Sequence, residues 1–175
     1  MQFKNLMKVL GVIPSRYQSK RFPGKPLANI LGKSMIQRVY EQCKQSSLLR
    51  DVIIATDDLR ILNHVKSFGA ESMMTSKSHK SGTERCNEVV QKINSNYDLI
   101  INIQGDEPYI QPKQINELIT LFKKEKIELG TLARIIKDNR TLNNTNRPKV
   151  IIDDNHFAKK FCRSIKCSFE KKNIS

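Results

Sequence analysis

An apolar segment meets a basic loop in the stretch Gly11-Val-Ile-Pro-Ser-Arg-Tyr-Gln-Ser-Lys-Arg-Phe-Pro-Gly-Lys-Pro-Leu27. The apolar residues from Val9 to Ile13 have the length of a buried strand, which Pro14 is expected to end. The loop that follows, here called the basic loop, carries four cations and no acidic residue: Arg16, Lys20, Arg21 and Lys25. Because ligands of α/β proteins bind beyond the carboxyl ends of strands, the loop predicts a site for a small polyanion. An ordinary basic surface loop is the alternative interpretation.

The length and composition fit one globular domain with a sizeable core. The chain has 175 residues, of which 38% are hydrophobic and 6% aromatic. Its net charge of +14 suits a nucleic-acid-binding protein or an enzyme that acts on anionic substrates. The cations are spread along the whole chain, however, so a general enrichment in Lys, Asn and Ile explains much of the charge without any function.

The cysteines favour reduced thiols over a metal site or a disulfide framework. They form no Cys-x-x-Cys pair and have no histidine at zinc-ligand spacing: Cys43, Cys86, Cys162 and Cys167. The first residues lack the pattern of a signal peptide, and no apolar run reaches the ~20 residues that span a bilayer. We therefore expect a cytoplasmic protein without membrane insertion.

Strand and helix patterns alternate as far as Ile103. After the basic loop they predict a helix capped by Ser34 and running to about Ser47, a strand over 51–57, a helix capped by Asp57 or Asp58 and ending near Gly69, a strand over 71–74, a helix over 82–93 and a strand over 98–103. Strand–helix–strand units of this length form parallel sheets with right-handed crossovers. The predicted fold is therefore three-layer α/β/α with a mostly parallel sheet.

The remaining sequence has a weaker pattern. It predicts a helix from Pro112 to about Lys126, a strand over 128–136, a polar loop rich in Asn, and a hairpin of two strands over 149–152 and 157–161. We assign residues 1–167 to one domain and leave residues 168–175 as a tail without a recognisable pattern.

Three loops are expected to meet at the same edge of the predicted sheet. They are the basic loop, the turn Ser81-Gly-Thr-Glu-Arg85 and the segment Gln104-Gly-Asp-Glu-Pro108. Together they offer cations, free N–H groups at a helix start and a pair of carboxylates, which are the groups that hold a phosphate chain and its Mg²⁺. The tripeptide Gly32-Lys-Ser34 is not a P-loop, because Leu27 stands where that motif requires glycine.

Four sequence motifs together resemble those of one known family. They are Ile13-Pro-Ser-Arg-Tyr17, Arg21-Phe-Pro-Gly-Lys-Pro-Leu27, Ser81-Gly-Thr-Glu-Arg85 and Ile103-Gln-Gly-Asp-Glu-Pro108. The family is the 3-deoxy-manno-octulosonate (KDO) cytidylyltransferases, also called CMP-KDO synthetases. The resemblance implies a nucleotide-diphospho-sugar transferase (Rossmann-like) fold. It also implies cytidylyl transfer from CTP to KDO, which gives CMP-KDO and pyrophosphate for lipopolysaccharide biosynthesis.

The same resemblance implies roles for individual residues. The triphosphate would be contacted by Arg16 and Lys25, with Arg21 assisting. The cytosine and ribose would be held by four further residues: Ser81, Gly82, Arg85 and Gln104. Asp106 would bind Mg²⁺, and the catalytic set would be Arg16, Lys25 and Asp106. Two structural alternatives stay open, because Arg85 could pair with Glu88 or another helix carboxylate and Asp106 could cap the turn before Pro108.

The family continues past the last residue of this chain, so the resemblance implies a fold that is incomplete at the C-terminus. Most sugar contacts, a second metal carboxylate and much of the surface of a homodimer would belong to that further part. Two alternative functions therefore stay open, namely a catalytically impaired nucleotide-binding remnant and a basic nucleic-acid-binding protein. The grouping of cations in one loop framed by Gly and Pro argues against nucleic acid as a partner.

Overall fold

The computed structural model of the protein describes residues 7–18, 22–124 and 127–164. These residues form two compact units, which divide between Gly130 and Thr131. Several features of the predictions lie outside the described residues, namely Lys20, Arg21, Cys167, the domain boundary after it and the tail over 168–175.

The elements are numbered along the chain. The strands are β1 (Val9–Ser15), β2 (Asn29–Ile30), β3 (Lys33–Ser34), β4 (Asp51–Thr56), β5 (Ser72–Met74), β6 (Leu99–Asn102), β7 (Lys149–Ile152) and β8 (Ala158–Cys162). The helices are α1 (Met35–Lys44), α2 (Leu59–Ser67), α3 (Gly82–Lys92), α4 (Pro112–Lys124) and α5 (Asn139–Asn143). A 3₁₀ turn covers Lys25–Leu27 within the basic loop.

A parallel sheet in the order β5-β4-β1-β6 lies at the centre of the first unit. It buries one face against α1, α2 and α4 and the other against α3, because successive residues of β1 point to opposite faces. Val9 and Ile13 are packed in the first core, and Leu10 and Val12 are packed in the second. The predicted three-layer α/β/α architecture is confirmed.

The prediction that Pro14 ends the first strand is wrong, because β1 continues to Ser15. The Val12 carbonyl accepts a hydrogen bond from the Ile103 N–H at 2.9 Å, so the backbone groups of Val12 face the β6 side. Alternate residues of a strand face the same neighbour, so the nitrogen of Pro14 also points to that side. Since β6 ends at Asn102, the missing N–H of Pro14 costs no sheet hydrogen bond.

Three predicted helix starts are confirmed by side-chain caps. Ser34 accepts a hydrogen bond from the Gln37 N–H at 3.2 Å, and Ser81 accepts one from the Glu84 N–H at 3.1 Å. At the start of α2 the cap is Asp58, which was one of the two predicted candidates. These caps fix the helix starts at the edge of the sheet where the loops converge.

The strand predicted over 128–136 is wrong, since residues 127–137 contain no regular element. A strand needs a neighbouring backbone for its hydrogen bonds, and none of the described strands pairs with this segment. Its apolar residues are correspondingly open to solvent, with Leu129 92% and Ile135 80% exposed. Apolar spacing alone therefore did not identify an element whose formation depends on a partner.

The second unit contains the predicted hairpin, in which β7 and β8 are antiparallel and Val150 lies opposite Phe161. Lys149 is buried there and donates from its ammonium group to the carbonyls of Asn144 and Arg163. The sequence pattern missed α5, which is too short for a helical period to show and is capped by Asp138. Among the described helices of the chain, none is long and apolar enough to cross a membrane.

Candidate functional site

A cavity of about 1180 Å³ lies at the carboxyl edge of the sheet in the first unit. Its lining comes from the basic loop, the start of α3 and the loop after β6, together with the end of β1 and Arg60 of α2. Seven predicted site residues contribute to it: Arg16, Lys25, Ser81, Gly82, Arg85, Gln104 and Asp106. The structure therefore brings the three predicted loops together in one place.

The basic loop is closed by a contact between Tyr17 and Gly24. The Gly24 N–H donates to the Tyr17 carbonyl at 2.8 Å, and Gly24 has a φ of 71°, which favours glycine. A Cβ at this position would lie 3.1 Å from the Tyr17 ring, so the close approach also requires the absence of a side chain. Because Arg16 and Lys25 adjoin the contact, it fixes the backbone positions of both cations.

The loop after β6 places Asp106 beside Lys25. Their side chains form an ion pair at 2.5 Å and are 50% and 34% exposed, respectively. A Cβ on Gly105 would lie 2.8 Å from Ser15 Oγ and 3.1 Å from the Pro14 carbonyl oxygen. Glycine at position 105 therefore lets this loop lie directly on the end of β1. An exposed pair of this kind contributes only about 0–1 kcal/mol to the free energy of unfolding. The pair matters here because it holds the two side chains next to each other in the cavity.

The start of α3 packs under the same strand end. A Cβ on Gly82 would lie 3.1 Å from Pro14 Cγ, which shows how closely the first turn of the helix approaches β1. The first N–H groups of a helix have no partner within the helix and carry the positive end of its dipole. This helix start therefore adds a backbone anion-binding group to the cations of the basic loop.

Arg85 is buried, with 3% of its surface exposed, and its partner is not Glu88. Its guanidinium donates to Asp57 Oδ2 at 2.8 Å and to the Thr75 hydroxyl, which in turn donates to the Thr56 carbonyl. The ion pair joins the first turn of α3 to the loop after β4, and the hydrogen bond to Thr75 joins it to the loop after β5. Arg85 therefore enters the cavity wall with its charge already offset by a carboxylate.

Glu88 holds the loop before α3 instead. It accepts a hydrogen bond from the Ser76 N–H at 2.8 Å, contacts the His79 ring and pairs with Lys92 at 2.5 Å. These interactions, led by the hydrogen bond from Lys92, lower the pKa of Glu88 to about 2. His79 therefore belongs to a hydrogen-bond network that positions the turn at Ser81.

The sequence interpretation did not identify Arg60 and Tyr17 as site residues, although both line the cavity. The Arg60 guanidinium lies 3.3 Å from the centroid of the Tyr17 ring and pairs with Asp58 at 2.7 Å. This hydrogen bond lowers the pKa of Asp58. The position of Arg60 in the sequence could have identified it as a site residue. It lies in the first turn of α2, soon after β4, and therefore at the same edge of the sheet.

Asp106 is the residue that the sequence predicts to bind a metal ion. It is the one carboxylate among the described residues that line the cavity. Within residues 7–18, 22–124 and 127–164, no group of three or more His, Cys, Asp or Glu side chains is arranged to hold a metal ion. Ser15 Oγ, which is buried near Gly105, has no hydrogen-bond partner among the described residues. A buried hydroxyl of this kind is commonly satisfied by water or a ligand.

A family model described as cytidylyltransferase matches residues 10–175. The chain belongs to the cytidylyltransferase family. The 3-deoxy-manno-octulosonate cytidylyltransferase of Parabacteroides distasonis is 51% identical over 164 residues, which cover 91% of this chain and 64% of that protein. The enzyme of the same name from Bacteroides thetaiotaomicron is 48% identical over 162 residues, with the same shares of the two chains.

A solved structure of CMP:2-keto-3-deoxy-manno-octonic acid synthetase complexed with CTP is similar to this cytidylyltransferase-family chain with a TM-score of 0.84. The two are 39% identical, and the match covers 90% of this chain and 64% of that one. The fold predicted from the sequence is therefore confirmed by a solved relative. This chain spans about 64% of the length of the curated relatives that it matches.

Proposed function

We propose that this chain binds CTP in the cavity and transfers its cytidylyl group to KDO, releasing pyrophosphate. The observation that carries the proposal is the convergence of Arg16, Lys25, the start of α3 and Asp106 on one cavity. Its support from comparison is the 51% identity to a protein named for the same transfer reaction. The charges present match a substrate with three phosphates and an acidic sugar.

The proposed reaction is a displacement at phosphorus. The anomeric hydroxyl of KDO attacks the α-phosphorus of CTP, the bond to the bridging oxygen breaks, and pyrophosphate leaves while the hydroxyl loses its proton. Such a step depends on positioning and on offsetting the charge of the phosphate oxygens. In this chain Arg16, Lys25 and the N–H groups at the start of α3 would provide that compensation.

Mg²⁺ belongs to the same proposal, with Asp106 as its protein ligand. Mg²⁺ keeps several waters and is commonly bound by one or two carboxylates together with substrate phosphates. A half-exposed carboxylate in the loop after β6 fits that requirement. The preceding residue, Gly105, lies against the Ser15 hydroxyl, which has no hydrogen-bond partner among the described residues. When bound, the ion would supply charge neutralisation at the phosphates, and Lys25 would exchange Asp106 for a phosphate oxygen.

The remaining nucleotide contacts are proposed for Ser81, Gly82, Arg85 and Gln104, which line the cavity on the side of α3 and the loop after β6. We also propose that the reaction serves lipopolysaccharide biosynthesis in the cytoplasm, where CTP is available, and that the enzyme acts as a homodimer. These points rest on the family and not on a contact within the described residues.

Pyrophosphate release in the presence of CTP, KDO and Mg²⁺ tests the proposal. We expect CMP-KDO and pyrophosphate in equal amounts and a loss of both in Lys25→Ala. Failure to release pyrophosphate, combined with calorimetric binding of Mg-CTP, would instead identify a nucleotide-binding remnant. Release that persists unchanged in Lys25→Ala and in Asp106→Asn would contradict the assignment of the reaction to this cavity.

A further inference from the structure

Two parts of the first unit that are distant in sequence lie against the Tyr17 ring. One is the backbone of Gly24, where an added Cβ would lie 3.1 Å from both Cζ and the hydroxyl oxygen of the ring. The other is the guanidinium of Arg60, whose central carbon is 3.3 Å from the ring centroid. The ring is therefore contacted both by the far end of its own loop and by the first turn of α2.

Arg60 is itself held in place by the cap of that helix. Asp58 accepts hydrogen bonds from the Arg60 backbone N–H at 2.9 Å, from Nε at 2.9 Å and from Nη2 at 2.7 Å. Two parallel bonds fix the plane of a guanidinium, and a planar guanidinium stacks well on an aromatic face. The carboxylate also offsets the charge of Arg60, which weakens this side chain as a direct attractor of phosphate.

We propose that Arg60 is a positioning residue for nucleotide binding, acting through Tyr17. Tyr17 and Gly24 close the basic loop by a hydrogen bond of 2.8 Å, and the two cations proposed to bind triphosphate immediately adjoin these residues in the chain. By stacking on Tyr17, Arg60 ties this closure to α2 and so fixes the spacing of Arg16 and Lys25. This inference rests on the proposed function, because it names a further residue that the same site requires.

A mutant cycle on Mg-CTP affinity, measured by calorimetry, tests the inference. We expect Arg60→Ala and Tyr17→Leu each to weaken binding by about 5- to 20-fold, and the double variant to bind no more weakly than either single variant. In the Tyr17→Phe background, which keeps the aromatic face, Arg60→Ala is expected to weaken binding by the same factor of about 5 to 20. Tyr17→Leu retains apolar volume, and chemical unfolding checks that each variant is folded.

Arg50→Ala is the matched control for the loss of one positive charge. The Arg50 side chain is 61% exposed, against 59% for Arg60, and it pairs with the neighbouring Asp51 at 3.5 Å. Its backbone N–H donates to the carbonyl of Val9, at the opposite end of β1 from the cavity. We therefore expect this variant to bind Mg-CTP as the wild type does.

Two outcomes of the cycle would overturn the inference. Wild-type affinity in Arg60→Ala would show that the contact does not matter for binding. Full additivity of Arg60→Ala and Tyr17→Leu would show that Arg60 acts on the nucleotide directly and not through the ring.

The side-chain NMR resonances of Arg60 separate this inference from the proposed function. Stacking over the Tyr17 ring is expected to shift them upfield without nucleotide, and the shift should persist in Tyr17→Phe and vanish in Tyr17→Leu. A wild-type chain that shows the shift but binds no CTP would contradict the proposed function and support the contact. A wild-type chain that binds CTP without the shift would overturn the inference alone.

Discussion

Lys25 and Asp106 offer opposite charges to the cavity from two different loops, and their ion pair offsets both of them. A nucleotide bound without a metal ion would have to compete with Asp106 for Lys25. A nucleotide bound with Mg²⁺ would give each side chain a partner of opposite charge. Binding of the triphosphate and of the metal should therefore be coupled through this pair.

Replacing Asp106 by Asn tests that coupling. In the absence of Mg²⁺ we expect CTP affinity to rise by about 2- to 5-fold, which corresponds to release from an exposed ion pair. With Mg²⁺ we expect affinity to fall by about tenfold and turnover by at least about 10²-fold. Calorimetric titrations in EDTA and in Mg²⁺, together with pyrophosphate release, measure the three quantities.

Glu41→Gln is the matched control, because it breaks an ion pair of 2.7 Å with Lys33 whose side chains are similarly exposed and lie outside the cavity lining. It should change neither titration. If Asp106→Asn bound CTP as the wild type does in both buffers, the metal assignment would be wrong.

The convergence of site residues was predictable, whereas two side-chain contacts were not. Arg16, Ser81 and Asp106 each adjoin the end of a strand or the start of a helix, so the order of elements alone brings them to one edge. The stacking of Arg60 on Tyr17 depends on the orientation of α2, which no spacing rule supplies. The ion pair of Arg85 with Asp57 was not predicted either, because the two residues are distant in sequence.

At the scale of elements, the loop after β6 depends on the absence of a side chain at Gly105. An alanine there would place its Cβ 2.8 Å from Ser15 Oγ and 3.1 Å from a backbone oxygen of β1, so the loop would have to move. We expect Gly105→Ala to weaken Mg-CTP binding by about tenfold and to lower the free energy of unfolding by about 1–3 kcal/mol. Calorimetry and urea unfolding measure the two effects.

Gly69→Ala provides the control for the stability loss in Gly105→Ala. Gly69 has a φ of 74° and does not line the cavity, so alanine there introduces backbone strain away from the site. It should lower stability while leaving nucleotide affinity unchanged. Equal affinity losses in the two variants would mean that general destabilisation, and not the position of the loop, governs binding.

The hydrogen bonds between α3 and the loop before it predict a pH-dependent stability. The pKa of Glu88 falls from its ordinary value of 4.5 to about 2 in the folded chain, chiefly through the hydrogen bond from Lys92. Between these values the unfolded chain binds more protons, so the contribution of Glu88 is complete above about pH 5.5, declines as the pH falls through 4.5 and is lost near pH 2. Urea unfolding of the wild type and Glu88→Gln from pH 7 to pH 2 measures it.

The expected result is a stability difference between these two chains that stays constant above about pH 5.5 and disappears near pH 2. Glu117→Gln, in the exposed pair of Glu117 with Lys113, is the control and should show a small difference at every pH. A difference between the wild type and Glu88→Gln that is the same at pH 6 and pH 3 would contradict the network described for Glu88.

The order of elements in the first unit was predictable because each strand and helix buries its own apolar face. β1 and β4 read as apolar runs, and α1 shows Ile36, Val39 and Cys43 at helical spacing, all of which are buried. The segment over 128–136 was not predictable in the same way, because a strand exists only with a neighbour. The polar helix α5 has no buried residue, so its sequence carries no apolar period.

At the scale of the whole molecule, net charge and local charge make different predictions. The value of +14 would favour any polyanion, including nucleic acid, through a salt-dependent interaction. The basic loop instead closes on itself and presents Arg16 and Lys25 beside a helix start and a carboxylate, an arrangement with the dimensions of a small ligand. Specific nucleotide binding should therefore depend on residues of the cavity and not on total charge.

Calorimetric titration of Mg-CTP into the wild type, Lys25→Ala and Arg50→Ala tests this central claim most directly. We predict saturable binding at one site per chain, weakened by at least about tenfold in Lys25→Ala and unchanged in Arg50→Ala, which loses the same charge outside the cavity. Double-stranded DNA at a similar phosphate concentration should not displace the nucleotide. Absence of saturable binding, or equal losses in the two variants, would contradict the account.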